Sequence, residues 1–214
     1  QWRVIASRRM RSLYTLLLYL LLPFVLLRLL WRSIRAPAYR QRWLERLGVF
    51  EPPAHWGGLW VHAVSVGEVQ AVVPLLQQLR AEQPDLPITV TTTTPTGSRR
   101  LREQFGDQVF HVYCPYDLPL ALKGFLRRVR PRVLLMVETE IWPNLLALCH
   151  RNDVFTLLAN ARMSDRSARR YARLGRFTRD TFGHMDCVAA QSQADAAHFR
   201  ALGVPHERLA VTGS

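Results

Sequence analysis

Several features are scarce in this sequence, and each scarcity narrows the reading. Cysteine occurs three times in 214 residues, as Cys114, Cys149 and Cys187, widely spaced and odd in number. Neither a disulfide framework nor a cysteine-based zinc site fits that spacing, so buried, reduced thiols of a cytosolic fold are expected. The histidines His55, His62, His111, His150, His184, His198 and His206 show no ligand spacing, and no metal is assigned. No Gly-x-Gly-x-x-Gly follows the first apolar strand, which weighs against a membrane-bound NAD-dependent reductase. No Gly-x-x-x-x-Gly-Lys-Ser/Thr occurs, against a P-loop ATPase, and no Gly-x-Ser-x-Gly elbow, against the common hydrolase arrangement. Acidic residues are missing before Glu45, and no repeat or low-complexity tract is present.

What is present is a basic, apolar N-terminal arm. The net charge is +13, and nine arginines fall in the first 42 residues: Arg3, Arg8, Arg9, Arg11, Arg28, Arg32, Arg35, Arg40 and Arg42. The rest of the chain carries 20 basic residues against 16 acids. Such an arm suits nucleic acid or an anionic membrane surface. Between its arginines lies the uncharged, leucine-dominated run Ser12 to Leu27. An RNA-binding arm has no use for that run, so the expected partner is a membrane and not a nucleic acid.

Sixteen helical residues reach about 24 Å, short of a hydrocarbon core of about 30 Å. Adding Leu29, Leu30 and Trp31 crosses it if Arg28 snorkels. The run is apolar on all sides and is expected to insert rather than lie flat. Whether it spans or dips into one leaflet stays open, because arginines flank both ends. A buried helix of a soluble fold is the bland alternative. Ala36-Pro37-Ala38 looks like a cleavage box, but Arg28, Arg32 and Arg35 separate it from the apolar run, the wrong order for a signal peptide. The start at Gln1 and the finish at Val211-Thr212-Gly213-Ser214, a strand entering a glycine turn, read as a piece of a longer protein.

The expected divisions are a membrane anchor over 1–31, a basic connector over 32–50 and an α/β domain over 51–214, the break falling near Glu51-Pro52-Pro53. Apolar strands are predicted at 59–66, 88–93, 109–113, 133–137, 155–159, 187–190 and 209–212. Helices are predicted between them at 69–82, 98–105, 118–129, 145–151, 164–182 and 194–202. With 49% apolar residues, this alternation implies a Rossmann-like parallel sheet with helices on both faces.

Ligands of such sheets sit at the carboxyl ends of the strands. The first turn there is Ser65-Val66-Gly67-Glu68. Gly67 permits close approach of a ligand, and Glu68 is either a first-turn acid favoured by the helix N-terminus or a general base. The second is Thr91 to Ser98, where Thr96 or Ser98 can cap a helix and Thr96, Gly97 and Ser98 can hold a phosphate or sugar. In the turn Glu138-Thr139-Glu140, two acids share a face if the strand continues. They are solvated loop acids or part of a site with Glu68. In Ala159-Asn160-Ala161-Arg162, Arg162 is a candidate phosphate contact, and Ser164 a cap.

These motifs form a set. Arg35-Ala36-Pro37-Ala38-Tyr39-Arg40 is followed by His62-Ala63-Val64-Ser65-Val66-Gly67-Glu68, then by Pro87 to Ser98. Next come Tyr116-Asp117-Leu118-Pro119, Glu138-Thr139-Glu140-Ile141-Trp142-Pro143-Asn144, Ala159-Asn160-Ala161-Arg162 and Val211-Thr212-Gly213-Ser214. In this order and over essentially the whole chain, they resemble the Kdo (3-deoxy-D-manno-octulosonic acid) transferase family of lipopolysaccharide synthesis.

The resemblance implies the N-terminal, acceptor-binding half of a two-domain GT-B glycosyltransferase, with a C-terminal domain holding most of the CMP-Kdo donor site. It implies inverting, metal-independent transfer of Kdo to the lipid A precursor, lipid IVA, with no cofactor beyond the donor substrate. The site would lie at the cytoplasmic face of the bacterial inner membrane. It also implies Glu68 as general base and Glu138 as the acid that stabilises the transition state. Ser65, Gly67, Thr96, Gly97, Ser98, Glu140 and Arg162 are the candidate substrate contacts. From the residues alone, the alternative is a non-catalytic, membrane-tethered module that binds a nucleotide or phosphate.

Overall fold

The computed structural model describes the backbone of residues 2–213 and the side chains of residues 9–39 and 41–213. Gln1 and Ser214, the last residue of the Val211–Ser214 motif, lie outside the described residues, as do the side chains of Arg3, Arg8 and Arg40. Helix α1 runs over Trp2–Arg35 with Pro23 inside it. Its stretch Arg9–Arg35 has a mean hydropathy of 2.2 and is long and apolar enough to cross a membrane. The chain forms two compact units, Tyr14–Arg132 and a second made of residues up to Leu13 with those from Val133 onward.

In the first unit, β1 (Leu59–His62), β2 (Ile88–Thr92) and β3 (Phe110–Tyr113) run parallel in the order β3-β2-β1. Three helices connect or follow them: α2 (Val66–Glu82), α3 (Pro95–Phe105) and α4 (Pro119–Val129). All five residues of β2 are buried, as expected for a strand covered on both faces. Trp60 is fully buried, its ring 4.3 Å from that of Phe125, and its indole N–H donates to Thr91 Oγ1 at 2.8 Å. A buried indole needs such a partner, and the β-branched threonine supplies it without leaving the strand.

The basic connector forms two short 3-10 turns, Pro37–Arg40 and Trp43–Leu47, instead of one helix. The second is fastened to the unit. Glu45 Oε2 accepts from the Tyr113 N–H at 2.8 Å, and Arg46 donates to Thr93 O at 2.8 Å. The guanidinium groups of Arg42 and Arg46 lie 4.9 and 4.3 Å from the Tyr113 ring centre.

In the second unit, β4 (Val133–Val137), β5 (Phe155–Ala161), β6 (Cys187–Ala190) and β7 (Leu209–Val211) run parallel in that order. The helices are α5 (Pro143–Arg151), α6 (Asp165–Ala172), α7 (Arg176–Phe182) and α8 (Gln193–Ala201). Seven parallel strands with covering helices give the expected α/β, Rossmann-like class.

Three expectations need correction. Strand β1 stops at His62, because Ala63–Ser65, although mostly apolar, forms the turn into α2. The single helix predicted over 164–182 is two, divided at Gly175, whose φ of +54° no helix accommodates. Ser164 does cap α6, accepting from the Ser167 N–H. Cys114 and Cys149 are buried as expected, but Cys187 is only half-buried.

Candidate functional site

At the carboxyl end of β1 the chain leaves the ladder and enters α2 through a capping box. Ser65 Oγ accepts from the Glu68 N–H at 3.3 Å. Glu68 Oε2 accepts from the Val64 N–H at 2.7 Å, and Oε1 from the Ser65 N–H at 3.2 Å. Both readings of Glu68 thus have a physical basis. It is a first-turn acid that satisfies backbone donors, and it is a fixed carboxylate at the ligand edge of the sheet. It is 7% exposed. A carboxylate oxygen can accept more than one hydrogen bond.

Helix α3 begins beside it. The cap is Thr94, which accepts from the Gly97 N–H at 3.1 Å, and not Thr96 or Ser98. Pro95 opens the helix, so the extended residue just before it takes the cap position. Thr96 is exposed, and its hydroxyl donates to Thr94 Oγ1 at 3.3 Å. Gly97 is where the two turns meet: a Cβ there would lie 3.7 Å from the carbonyl carbon of Ser65 and 3.1 Å from Thr94 Oγ1. Ser98 is buried and accepts from Arg42 at 3.4 Å. Ser65, Gly67, Glu68, Thr96, Gly97 and Ser98 are therefore gathered at one edge of this unit.

A cavity of ≈ 570 Å³ opens at the same edge, lined among others by Tyr39, Arg42, Thr96, Ser98, Arg99 and Arg102. Arg42 spans it, donating to His111 O at 2.6 Å and to Glu45 at 2.5 Å. Burial, and after it the charges of Arg42 and Arg102, lower His111 to about 3, so its imidazole is neutral at pH 7. Guanidinium groups and the start of α3 favour an anionic ligand. A second cavity, ≈ 610 Å³, sits at the amino ends of β2 and β3 around Pro87, Ile88, Val109 and Phe110. That is the end opposite the one where ligands of such sheets bind.

The second unit carries the other candidates. Glu138 follows β4 with a φ of +59° and an exposed side chain. Its N–H donates to Ala159 O at 3.0 Å, and its own carbonyl accepts from the Glu140 N–H at 3.1 Å. The strand ends at Val137, so Glu138 and Glu140 do not share a strand face. Glu140 Oε2 accepts from the Trp142 indole at 2.9 Å. Thr139 ties this turn to Arg162: the Arg162 N–H donates to Thr139 Oγ1 at 3.2 Å, and the hydroxyl donates back to Arg162 O. The Arg162 side chain is exposed. Burial, and then the Glu140 charge, push the Tyr171 phenol up, with Arg170 opposing.

Sequence reasoning passed over three residues that hold these turns. Thr139 is one. Asn160 has a φ of +54° where the β5 register shifts, and its Oδ1 accepts from Gln191 Nε2 at 2.7 Å. Asp195 accepts from the Met163 N–H at 2.7 Å just after Arg162. The usable signal was Asn160, since asparagine tolerates left-handed backbone at strand ends. Among the described residues, no group of three or more His, Cys, Asp or Glu side chains is placed to hold a metal ion.

The chain is 40% identical over 208 residues to the 3-deoxy-D-manno-octulosonic acid transferase of Haemophilus influenzae, covering 95% of this chain and 48% of that protein. It is 37% identical to the enzyme of the same name from Bordetella pertussis, covering 95% and 49%. The Chlamydia trachomatis relative is 32% identical, covering 82% and 42%. The chain spans about half the length of these relatives. Among solved structures, a UDP-N-acetylglucosamine 2-epimerase superimposes with a TM-score of 0.52 at 14% identity, covering 74% of this chain and 46% of that one, a likeness of fold alone. The family model for 3-deoxy-D-manno-octulosonic-acid transferase (kdotransferase) matches residues 41–214, and the chain belongs to that family.

Proposed function

We propose that this chain is the acceptor-side half of a glycosyltransferase that moves Kdo from CMP-Kdo to the lipid A precursor, lipid IVA. Family membership over residues 41–214 is the observation that carries the reading. The geometry supplies parts the reaction needs. Glu68, held by the Val64 and Ser65 amides, takes the proton of an acceptor hydroxyl as that oxygen bonds to the anomeric carbon of Kdo. The bond from that carbon to the CMP phosphate oxygen breaks, and CMP leaves with the electron pair. Attack opposite the leaving group inverts the centre. Glu138 places a negative charge beside the positive charge that develops at the anomeric carbon, and no metal is invoked.

Ser65, Gly67, Thr96, Gly97 and Ser98 line the acceptor side in this reading, with Arg42, Arg99 and Arg102 facing its phosphates. Glu140 and Arg162 orient the turn that carries Glu138. The donor is held mostly by a second domain. Helix α1 and its arginines attach the protein to the cytoplasmic face of the bacterial inner membrane.

The test is transfer of Kdo, with CMP-Kdo generated in situ, by the intact protein that contains this chain. Glu68→Ala is expected to lose about 10²–10⁴-fold in rate while remaining folded. Retention of near-parent activity would make Glu68 a capping acid only. A folded parent that transfers nothing to any such acceptor would sink the reading and leave the phosphate-binding module in its place.

A further inference from the structure

Helix α1 has two different faces in the folded protein, although its sequence is apolar all round. Tyr14, Leu18, Leu22, Leu26 and Leu29 are half-buried and Ser33 is buried, steps of three and four that trace one stripe. Leu16, Leu20, Phe24, Leu27, Trp31 and Ile34 trace the opposite stripe and are 55–68% exposed.

Both ends of this stretch return to the same unit. The Tyr14 hydroxyl donates at 2.9 Å to Asp117 Oδ2, in the loop after β3, and Asp117 is 6% exposed. At the other end, Ala36 and Tyr39 line the arginine cavity together with Thr96 and Arg99. The Arg32 guanidinium lies 4.3 Å from the Tyr39 ring centre, holding the last turn to the connector. Tyr14 and Ser33 are about 28 Å apart along the helix. A helix that crosses a bilayer with its folded unit on one side cannot have both ends at that unit. A helix lying across the carboxyl edge of β1–β3 can.

We propose that residues 14–35 of α1 lie in the plane of the membrane, with the Leu16–Ile34 stripe sunk into one leaflet of an anionic bilayer. Arg28, Arg32 and Arg35 are exposed along its last turns, and no acid precedes Glu45. An apolar stripe bordered by arginines is the pattern of an interfacial helix, and its charge selects anionic lipid. The other stripe, which from sequence alone favours insertion, is half-buried from Tyr14 to Leu29 and buried at Ser33. This inference rests on the membrane attachment proposed above and is independent of the transfer reaction. It sets the arginine cavity at the level of the lipid headgroups.

The test uses single spin labels at Leu16→Cys, Leu20→Cys, Phe24→Cys, Leu27→Cys and Ile34→Cys in a Cys187→Ser background, where Cys114 and Cys149 are buried from the label. The chain is reconstituted into phosphatidylcholine–phosphatidylglycerol vesicles, and label depth is read from collision with oxygen against a water-soluble quencher. The expected result is one common depth for all five, about 5–10 Å below the headgroup boundary. Labels at Leu18→Cys and Leu22→Cys should be less accessible to both quenchers than the five. A depth maximum at Phe24, with Leu16 and Ile34 at opposite surfaces about 27 Å apart, would show a spanning helix and overturn the proposal. So would labels that meet no lipid, or depths and binding unchanged in vesicles of phosphatidylcholine alone. None of these outcomes bears on Kdo transfer, so the two readings fail separately.

Discussion

Replacing Glu138 with glycine should make the protein more stable and less active at once. Glu138 holds a φ of +59° just past β4, a conformation that costs an L-residue about 1–2 kcal/mol. Glycine removes that cost but brings a more flexible unfolded chain, an opposing effect of about 0.4–1 kcal/mol. The Glu138 side chain is exposed, so little packing is lost with it. The net is a gain of about 0.5–1 kcal/mol, or a Tm higher by about 1–4 °C for a chain of this size. If Glu138 stabilises charge in the transition state, transfer should fall by about 10²–10³-fold. Glu138→Gln isolates the charge: it keeps the strain and the length, so its Tm should match the parent while its activity drops with that of the glycine variant. Calorimetry on the chain and transfer assays on the intact protein give the two readouts. A glycine variant that melts lower than the parent would refute the strain. A glutamine variant within threefold of parent activity would refute the charge role.

Four further outcomes are expected. Glu68→Ala leaves the Val64 and Ser65 amides without their acceptor and should lower stability by about 1–3 kcal/mol in urea unfolding; an unchanged midpoint would contradict the capping box. Thr94→Ala should cost about 1 kcal/mol as the loss of the α3 cap, and Thr96→Ala less than about 0.5 kcal/mol; the reverse order would restore Thr96 as the cap. Gly48→Ala should unfold the chain or destabilise it by more than about 2 kcal/mol, because φ is +74° and the new Cβ would lie 2.0 Å from Ala121 O; a parent-like melt would refute that packing. Burial lowers His62 to about 4 from 6.5, so the unfolded chain binds its proton first as pH falls. The His62 contribution is then intact above pH 6.5 and declines by about 3 kcal/mol toward pH 4. Urea midpoints from pH 7 to 5 should fall, and His62→Gln should flatten the slope; an equal slope in that variant would clear His62.

The class of fold was legible because buried parallel strands leave apolar or β-branched runs, as in Val133–Val137 and Ile88–Thr92. Boundaries were less so where a turn is as buried as a strand. Ala63 is fully buried and its N–H donates to Thr91 O of β2, and hydropathy does not separate that from membership of the ladder. The division of α6 from α7 had a signal in Gly175, but nothing local distinguishes a tolerated helical glycine from one at +54°. In the candidate site, positions were legible and geometry was not. Its position in the turn after the first strand placed Glu68 at the start of α2, whereas the left-handed backbone of Glu138 has no counterpart in composition. The Arg42–His111 contact joins residues 69 apart in sequence, a distance over which a single sequence carries no pairing information.

The two candidate acids are held by opposite means, and that contrast bears on function more than either position alone. Glu68 satisfies two backbone donors, so a structural role explains its presence without any chemistry. Its loss is expected to lower stability whether or not it is a base, and loss of activity in that variant has two readings. Glu138 satisfies nothing with its side chain in the described contacts and sits in backbone that glycine would occupy more cheaply. Asparagine takes the same conformation nearby at Asn160, where its side-chain amide is bonded to Gln191, so strain there has a structural return. At Glu138 no comparable return is visible, and residues kept in costly backbone cluster at functional sites. The acid whose chemistry can be tested without disturbing the fold is therefore Glu138, and the Glu68 result should be interpreted against it.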